Sequence, residues 1–230
     1  MTVFASLQHG NISFYVDSLS QSSLDMLIPN LQKKFNMKRK PFYIGGFSIG
    51  GSGAIRYTER ACASTDLVKP NAVFAIDPPL DFIRFYNSCE NTARCSKNEI
   101  ARSEAEYFVK RIIYEFKSTP QQNMWRYIDY SPYCQADTTQ RNVKHLVKEP
   151  MRIFSEPDIN WQLKYRNRSL YDLNVLDCSA LINTLVLMGN EEASLTVTTE
   201  KGYRKATGNR NPHSWSIADG SDIVEWLLQH

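Results

Sequence analysis

The sequence predicts an α/β protein with a mostly parallel sheet flanked by helices. Three observations carry this. Short apolar runs at 42–47, 72–77 and 151–155 read as buried strands. Segments with helical spacing follow them, so strand and helix alternate along the chain. A length of 230 residues is enough for one large domain with a full core.

Composition narrows the function classes. The chain is 42% hydrophobic and 22% charged, which is ordinary, and its 12% aromatic content suits a globular protein with a pocket. A net charge of +3 is too small to indicate nucleic acid or an acidic membrane surface. No apolar run reaches the length of a membrane span and no signal-peptide pattern opens the sequence, so a cytoplasmic location is expected. The cysteines are Cys62, Cys89, Cys95, Cys134 and Cys178; an odd count without a dense framework favours free thiols in a reducing compartment, although Cys89 and Cys95 are close enough in sequence for a local bridge. There is no C-x-x-C, and the four histidines are scattered, so no metal and no organic cofactor is expected. Asn167-Arg168-Ser169 matches a glycosylation acceptor and is set aside without a secretory signal.

Taken in order, residues 2–8 read as a strand, His9-Gly10-Asn11 as a turn and 12–16 as a short extended piece. A helix is expected over about 20–36, with Leu24, Leu27, Ile28, Leu31 and Phe35 at helical spacing and Pro29 as a kink or break. The basic cluster that closes it suits a solvated helix end. The strand at 42–47 leads into a helix over 49–63, and the strand at 72–77 stops at Pro78-Pro79. Residues 80–149 are rich in charge and aromatics and show no convincing strand. Residues 99–116 form an amphipathic helix there, and the segment reads as a helical insertion between core parts 1–79 and 150–230. The strand at 151–155 ends in Glu156-Pro157-Asp158. A helix over 170–188, a strand at 194–198, a loop carrying His213 and a last helix over 220–229 complete the reading.

The chemistry centres on Gly46-Phe47-Ser48-Ile49-Gly50, a G-x-S-x-G pentapeptide between a strand and a helix. A serine on such a sharp turn is expected to have a strained backbone and an exposed hydroxyl. Gly46 and Gly50 fit a turn with no room for a Cβ. The start of the following helix favours negative charge developing beside Ser48. A serine needs a base. His213, in the loop after the last strand, is favoured over His145 in the insertion, His9 before the pentapeptide and His230 at the terminus, because loops at the carboxyl ends of parallel strands hold active sites. The histidine needs a carboxylate. Asp158 is ranked first, Glu156 second and Asp77 third, on the rigidity of the Ser-Glu-Pro-Asp turn; Asp81 follows the same strand as Asp77.

The pentapeptide between strand and helix, an acid after a later strand and a histidine after the final one give the order Ser, Asp or Glu, His. In this the chain resembles the α/β-hydrolase superfamily over about residues 40–230. The resemblance implies Ser48 as nucleophile, His213 as base, Asp158 as its orienting acid, the Ile49 amide as one oxyanion donor and 80–149 as a cap over the site. It implies a carboxylic ester substrate and an acyl-enzyme. The sequence departs from the superfamily before Ser48, where only 47 residues stand and the usual oxyanion loop has no match beyond the turn at Gly10. Missing early strands, weak activity alone and an exposed sheet edge at 2–8 are therefore expected, and that edge suggests a homodimer.

Two functional readings follow. One is a serine hydrolase acting on a small-molecule ester, with Phe82, Phe85, Tyr86, Tyr107, Tyr114, Trp125 and Tyr127 either shaping a site for a bulky apolar group or forming the insertion's own core. The other is a hydrolase-like scaffold that binds a ligand or a protein without catalysis.

Overall fold

The computed structural model describes residues 13–38 and 40–230. The expected strand at 2–8 and the turn at His9-Gly10 lie outside the described residues. Four strands, β1 (Tyr43–Phe47), β2 (Ala72–Ile76), β3 (Met151–Ser155) and β4 (Ala193–Val197), form a sheet in the order β1-β2-β3-β4 with every pair parallel. Register is continuous: Phe47 faces Ile76, Ile76 faces Phe154 and Phe154 faces Thr196. All four carboxyl ends therefore lie along one edge of the sheet.

Alternation along the strands sorts side chains to two faces. Val73, Ala75, Met151 and Ile153 turn to the face covered by α2 (Ile49–Ala63), the 3-10 turn Val143–Leu146 and α7 (Val175–Leu187), where Ile55, Leu146, Leu181 and Leu185 are fully buried. Phe74, Ile76 and Phe154 turn to the other face and meet Ile217 together with Ile223 and Leu227 of α8 (Gly220–Leu227). Helices on both faces are what an all-parallel sheet requires, since neither face tolerates water.

At the start of the described chain, α1 (Ser18–Lys34) is capped by the Asp17 carboxylate, which accepts from the amides of Leu19 and Ser20. Leu24 and Ile28 pack on Tyr57 and Ala61 of α2. Pro29 lies inside α1 without dividing it into two helices. Residues 13–16, the described part of the piece read as extended, are not paired as a strand, and Tyr15 has φ 60°.

Between β2 and β3 no strand occurs among the described residues. Instead come α3 (Phe82–Cys95), α4 (Glu99–Phe116) and α5 (Met124–Tyr130), capped by Asp81, Asn98 and Asn123. They close on a second apolar cluster of Phe14, Phe82, Tyr86, Ile112, Phe116 and Tyr127. Tyr133, Val143 and Leu146 belong to the sheet's main core, so the last part of 80–149 has returned to the sheet. A buried ion pair of Arg84 on α3 with Asp177 on α7 ties the two regions together, and the Asp177 carboxylate also accepts from the amides of Leu80 and Asp81. After β3, α6 (Ile159–Arg166) is an element the sequence did not reveal. The expected helix over 170–188 is divided into a 3-10 turn, Leu170–Asp172, and α7.

Candidate active site

Ser48 stands between the last residue of β1 and the first of α2, with φ 53° and ψ −128°. Its amide still donates to the Ile76 carbonyl at 2.8 Å, extending the strand pairing by one bond before the chain turns. A left-handed φ at a non-glycine residue is strained by about 1–3 kcal/mol and persists only where the surroundings enforce it. Gly46 is part of that enforcement: a Cβ there would stand 2.3 Å from the carbonyl carbon of Gly50 and 2.6 Å from the amide of Gly51. Gly50 is different from expectation. A Cβ on Gly50 would meet nothing within 4 Å, so the close approach is made by the backbone of Gly50 onto Gly46, and of the two motif glycines it is Gly46 that lacks room for a side chain.

His213 reaches this turn from the loop after β4. Its Nε2 is 3.0 Å from Ser48 Oγ and its Nδ1 is 2.7 Å from Asp77 Oδ2. The ring lies against Phe47, centroids 4.6 Å apart, and the His213 carbonyl accepts from the Asn211 side chain at 2.8 Å. With Nδ1–H donating to the carboxylate, Nε2 is left as the acceptor for the serine hydroxyl.

The carboxylate on His213 is thus Asp77, ranked third from the sequence, and neither Asp158 nor Glu156. Asp77 directly follows β2, beside the strand that presents Ser48, and has φ 47°. Its Oδ1 accepts from Ser155 Oγ at 2.9 Å, its amide donates to Phe154 O and its carbonyl accepts from Asn174 Nδ2. Every hydrogen-bonding atom of Asp77 is engaged, which fixes the carboxylate toward the imidazole. Asp158 instead caps α6 by accepting from the Trp161 amide, and pairs with Arg210 at 2.7 Å. The buried Glu156 accepts from Thr198 Oγ1 and the amides of Lys201 and Gly202, and it too pairs with Arg210. The rigidity read in the Ser-Glu-Pro-Asp turn is present, but it serves to hold the loop that carries His213. Asp81 is buried, accepting from the amides of Ile83, Arg84 and Gln135.

The other histidines are elsewhere. His145 lies in the 3-10 turn Val143–Leu146, where burial and the neighbouring Lys144 and Arg56 push its pKa down. His230 packs on the Trp226 ring. His9 lies outside the described residues.

Ile49 opens α2, which has no side-chain cap. The first amides of a helix have no intrahelical partner, so the Ile49 N–H beside Ser48 Oγ is available to a developing anion. The alternative source of a second donor, the turn at Gly10, is outside the described residues.

A cleft opens at Ser48, Asp77 and His213, lined in part by side chains of α3 and α4, among them Phe85, Cys89 and Phe108. Its lining is mixed. Of the aromatics proposed for the insertion, only Phe85 lines the cleft; Phe82, Tyr86 and Tyr127 are buried in the second cluster and Tyr107, Tyr114 and Trp125 are exposed. All five cysteines are free, and burial pushes the Cys89 thiol up to about 12, far from a nucleophilic thiolate. Among the described residues no group of three or more His, Cys, Asp or Glu side chains is placed to hold a metal ion, and no helix is long and apolar enough to cross a membrane.

A family model described as alpha/beta hydrolase of unknown function (DUF915) matches residues 16–130, half of the chain. A solved structure, of a mutant of the rice cell wall degrading esterase LipA from Xanthomonas oryzae, superposes with a TM-score of 0.54 at 13% identity, over 94% of this chain and 66% of that one. At that identity the likeness speaks to the fold, and this chain spans about two thirds of that structure's length. No curated protein matches the sequence.

Proposed function

We propose that this chain, which belongs to the alpha/beta hydrolase family whose model covers residues 16–130, is a serine hydrolase that cleaves carboxylic esters. The observation that carries the reading is the pair of contacts on one imidazole, His213 Nε2 to Ser48 Oγ at 3.0 Å and His213 Nδ1 to Asp77 Oδ2 at 2.7 Å. A structural serine has no need of a base oriented by a third group, so the arrangement supports catalysis over a binding-only scaffold.

In this reading His213 Nε2 takes the Ser48 hydroxyl proton as Oγ attacks the ester carbonyl carbon. The carbonyl oxygen becomes the oxyanion and accepts from the Ile49 amide at the start of α2. The protonated imidazole, stabilised by Asp77, gives its proton to the departing alkoxide, and the acyl group stays on Oγ. Water then repeats the cycle, losing a proton to His213 as it attacks the acyl carbonyl, and Ser48 is regained with release of the carboxylic acid. α3 and α4 act as the cap that shields these steps from bulk water. The ester preference draws support from the LipA likeness in fold.

The test is covalent labelling with a fluorophosphonate, which reacts with an activated serine whatever the natural substrate. The intact protein is expected to label at Ser48, and Ser48→Ala not at all. Failure of the folded wild-type protein to label or to hydrolyse any p-nitrophenyl ester would end the enzyme reading.

A further inference from the structure

The cleft beside Ser48 contains polar groups that the proposed chemistry does not use. Gln162 on α6 lines it and is only 7% exposed, yet its Oε1 is buried with no hydrogen-bond partner, and its Nε2 makes no hydrogen bond among the described residues. Thr92 on α3 lines the same space and is 5% exposed. Arg168 donates through Nη2 to Glu104 at 3.0 Å and makes no other side-chain hydrogen bond among the described residues. A buried amide oxygen without a partner is expensive, and native proteins leave few of them unless water or a ligand completes the bonding.

The charge of the lining limits what that ligand is. Asp77, Glu104, Glu156 and Asp172 bring four carboxylates to the cleft against the one guanidinium of Arg168. Arg210 balances Glu156 from outside it. A carboxylate- or phosphate-bearing group meets a field of its own sign here. A long apolar chain leaves the Gln162 amide buried and unsatisfied. A hydroxyl avoids both penalties, because it donates and accepts. It can satisfy the amide whichever of its two ends faces the cleft, and can also accept from Arg168 or pair with Thr92.

We infer that the cleft takes an uncharged ester bearing a hydroxyl group close to the scissile bond, bound by Gln162 with Thr92 and Arg168. This rests on the serine hydrolase reading and adds the chemical class of its substrate. The hydroxyl sits on either the alcohol or the acyl part of the ester, and the two sources separate experimentally.

The test compares kcat/KM of the full chain for glycerol monoacetate against ethyl acetate, and for ethyl 3-hydroxybutyrate against ethyl butyrate. Monoethyl succinate serves as the anionic control. The wild-type protein is expected to favour the hydroxylated member of one pair by about 10-fold, the scale of one hydrogen bond to an otherwise unsatisfied group, and to turn over the anionic ester least. In Gln162→Leu that ratio should fall toward 1, whereas Gln162→Glu, which keeps an acceptor, should retain part of it. Each variant is read as the ratio of its own two rates, so a general loss of activity cancels. If Gln162→Leu does not fold, the wild-type ratios alone decide. Equal rates within both pairs, a preference for the anion, or an unchanged ratio in folded Gln162→Leu would each overturn the inference. Fluorophosphonate labelling separates its failure from that of the parent reading: labelling without hydroxyl preference removes the substrate class alone, whereas absence of labelling removes the hydrolase reading and this inference with it.

Discussion

Ser48 and Asp77 leave neighbouring parallel strands one step past the same register pair, Phe47 with Ile76, and both do so with a left-handed backbone, φ 53° and 47°. The two turns are linked by a hydrogen bond from the Ser48 amide to the Ile76 carbonyl, the residue just before Asp77. One imidazole therefore spans two side chains held by adjacent strand ends, the most rigid support the fold offers. Two strained residues side by side are uncommon away from functional sites.

Exchange of the carboxylates should separate orientation of the base from stability of the loop. Asp77→Asn is expected to lower kcat by about 10³–10⁴-fold, because an amide favours the wrong imidazole tautomer. Asp158→Asn keeps a helix-capping side chain and loses one contact to Arg210, so a change of about 1 kcal/mol or less in unfolding free energy and a far smaller change in kcat are expected. Steady-state kinetics with urea unfolding of both variants checks this. A larger kcat loss in Asp158→Asn than in Asp77→Asn would restore the ranking expected from the sequence.

Ser155, fully buried at the end of β3, donates to Asp77 Oδ1, and in the proposed mechanism it would act on the imidazole only through that carboxylate, as a positioning residue. Ser155→Ala should lower kcat about 10-fold with KM little changed, the effect of losing one buried hydrogen bond that matters more as the imidazolium forms. A change confined to KM, or to thermal stability with kcat intact, would show Ser155 to be structural only.

How much of this was legible depends on what each element buries. The central strands were visible because their runs are apolar and end in Pro78-Pro79 or Glu156-Pro157, and Ser48 was visible because its motif encodes the turn. α6 was not, since the only residue it buries is Gln162, and a helix without an apolar stripe leaves no period to read. The ranking of the carboxylates does not match the contact on His213, because rigidity of a turn does not tell what the turn holds. Glu156 and Asp158 are held firmly, but by Arg210, whose side chain comes from the His213 loop itself. The better signal was adjacency: Asp77 directly follows the strand next to the one presenting Ser48. The aromatics of the insertion gave no such guide, because most of them serve its own packing or its surface.

The two motif glycines should respond unequally. Gly46→Ala forces a Cβ against the backbone of Gly50 and Gly51, where nothing flexible can yield, so loss of labelling at Ser48 together with a lower Tm is expected. Gly50→Ala places its methyl in open space at a helical position and should fold with equal or slightly higher stability. Thermal melts and labelling of the two variants provide the comparison; equal damage from both would mean that Gly50 is needed for something other than room.

Glu59 lies on α2, the same helix that follows Ser48. It is fully buried, and burial pushes its carboxyl up to about 8, although the Arg56 guanidinium lies 3.0 Å away and pulls the other way. Glu59 Oε1 and Arg56 Nε are both buried without a partner, so the ion pair is incompletely solvated by the protein and desolvation outweighs it. Below about pH 4.5 the carboxyl is protonated in both states and contributes no difference. Between about 4.5 and 8 the unfolded chain has released the proton and the folded chain retains it, so unfolding releases a proton and stability falls as pH rises. Above about 8 the carboxyl is ionised in both states and the loss is complete. The steepest slope available to one proton is about 1.4 kcal/mol per pH unit. Glu59→Gln keeps the shape and removes the titration. Its unfolding free energy, measured in urea at pH 5, 6.5 and 8, should gain on the wild-type protein progressively as pH rises, because all other titrating groups cancel in the difference. Parallel curves across that range would mean that Arg56 keeps Glu59 ionised in the folded protein and that burial does not govern its carboxyl.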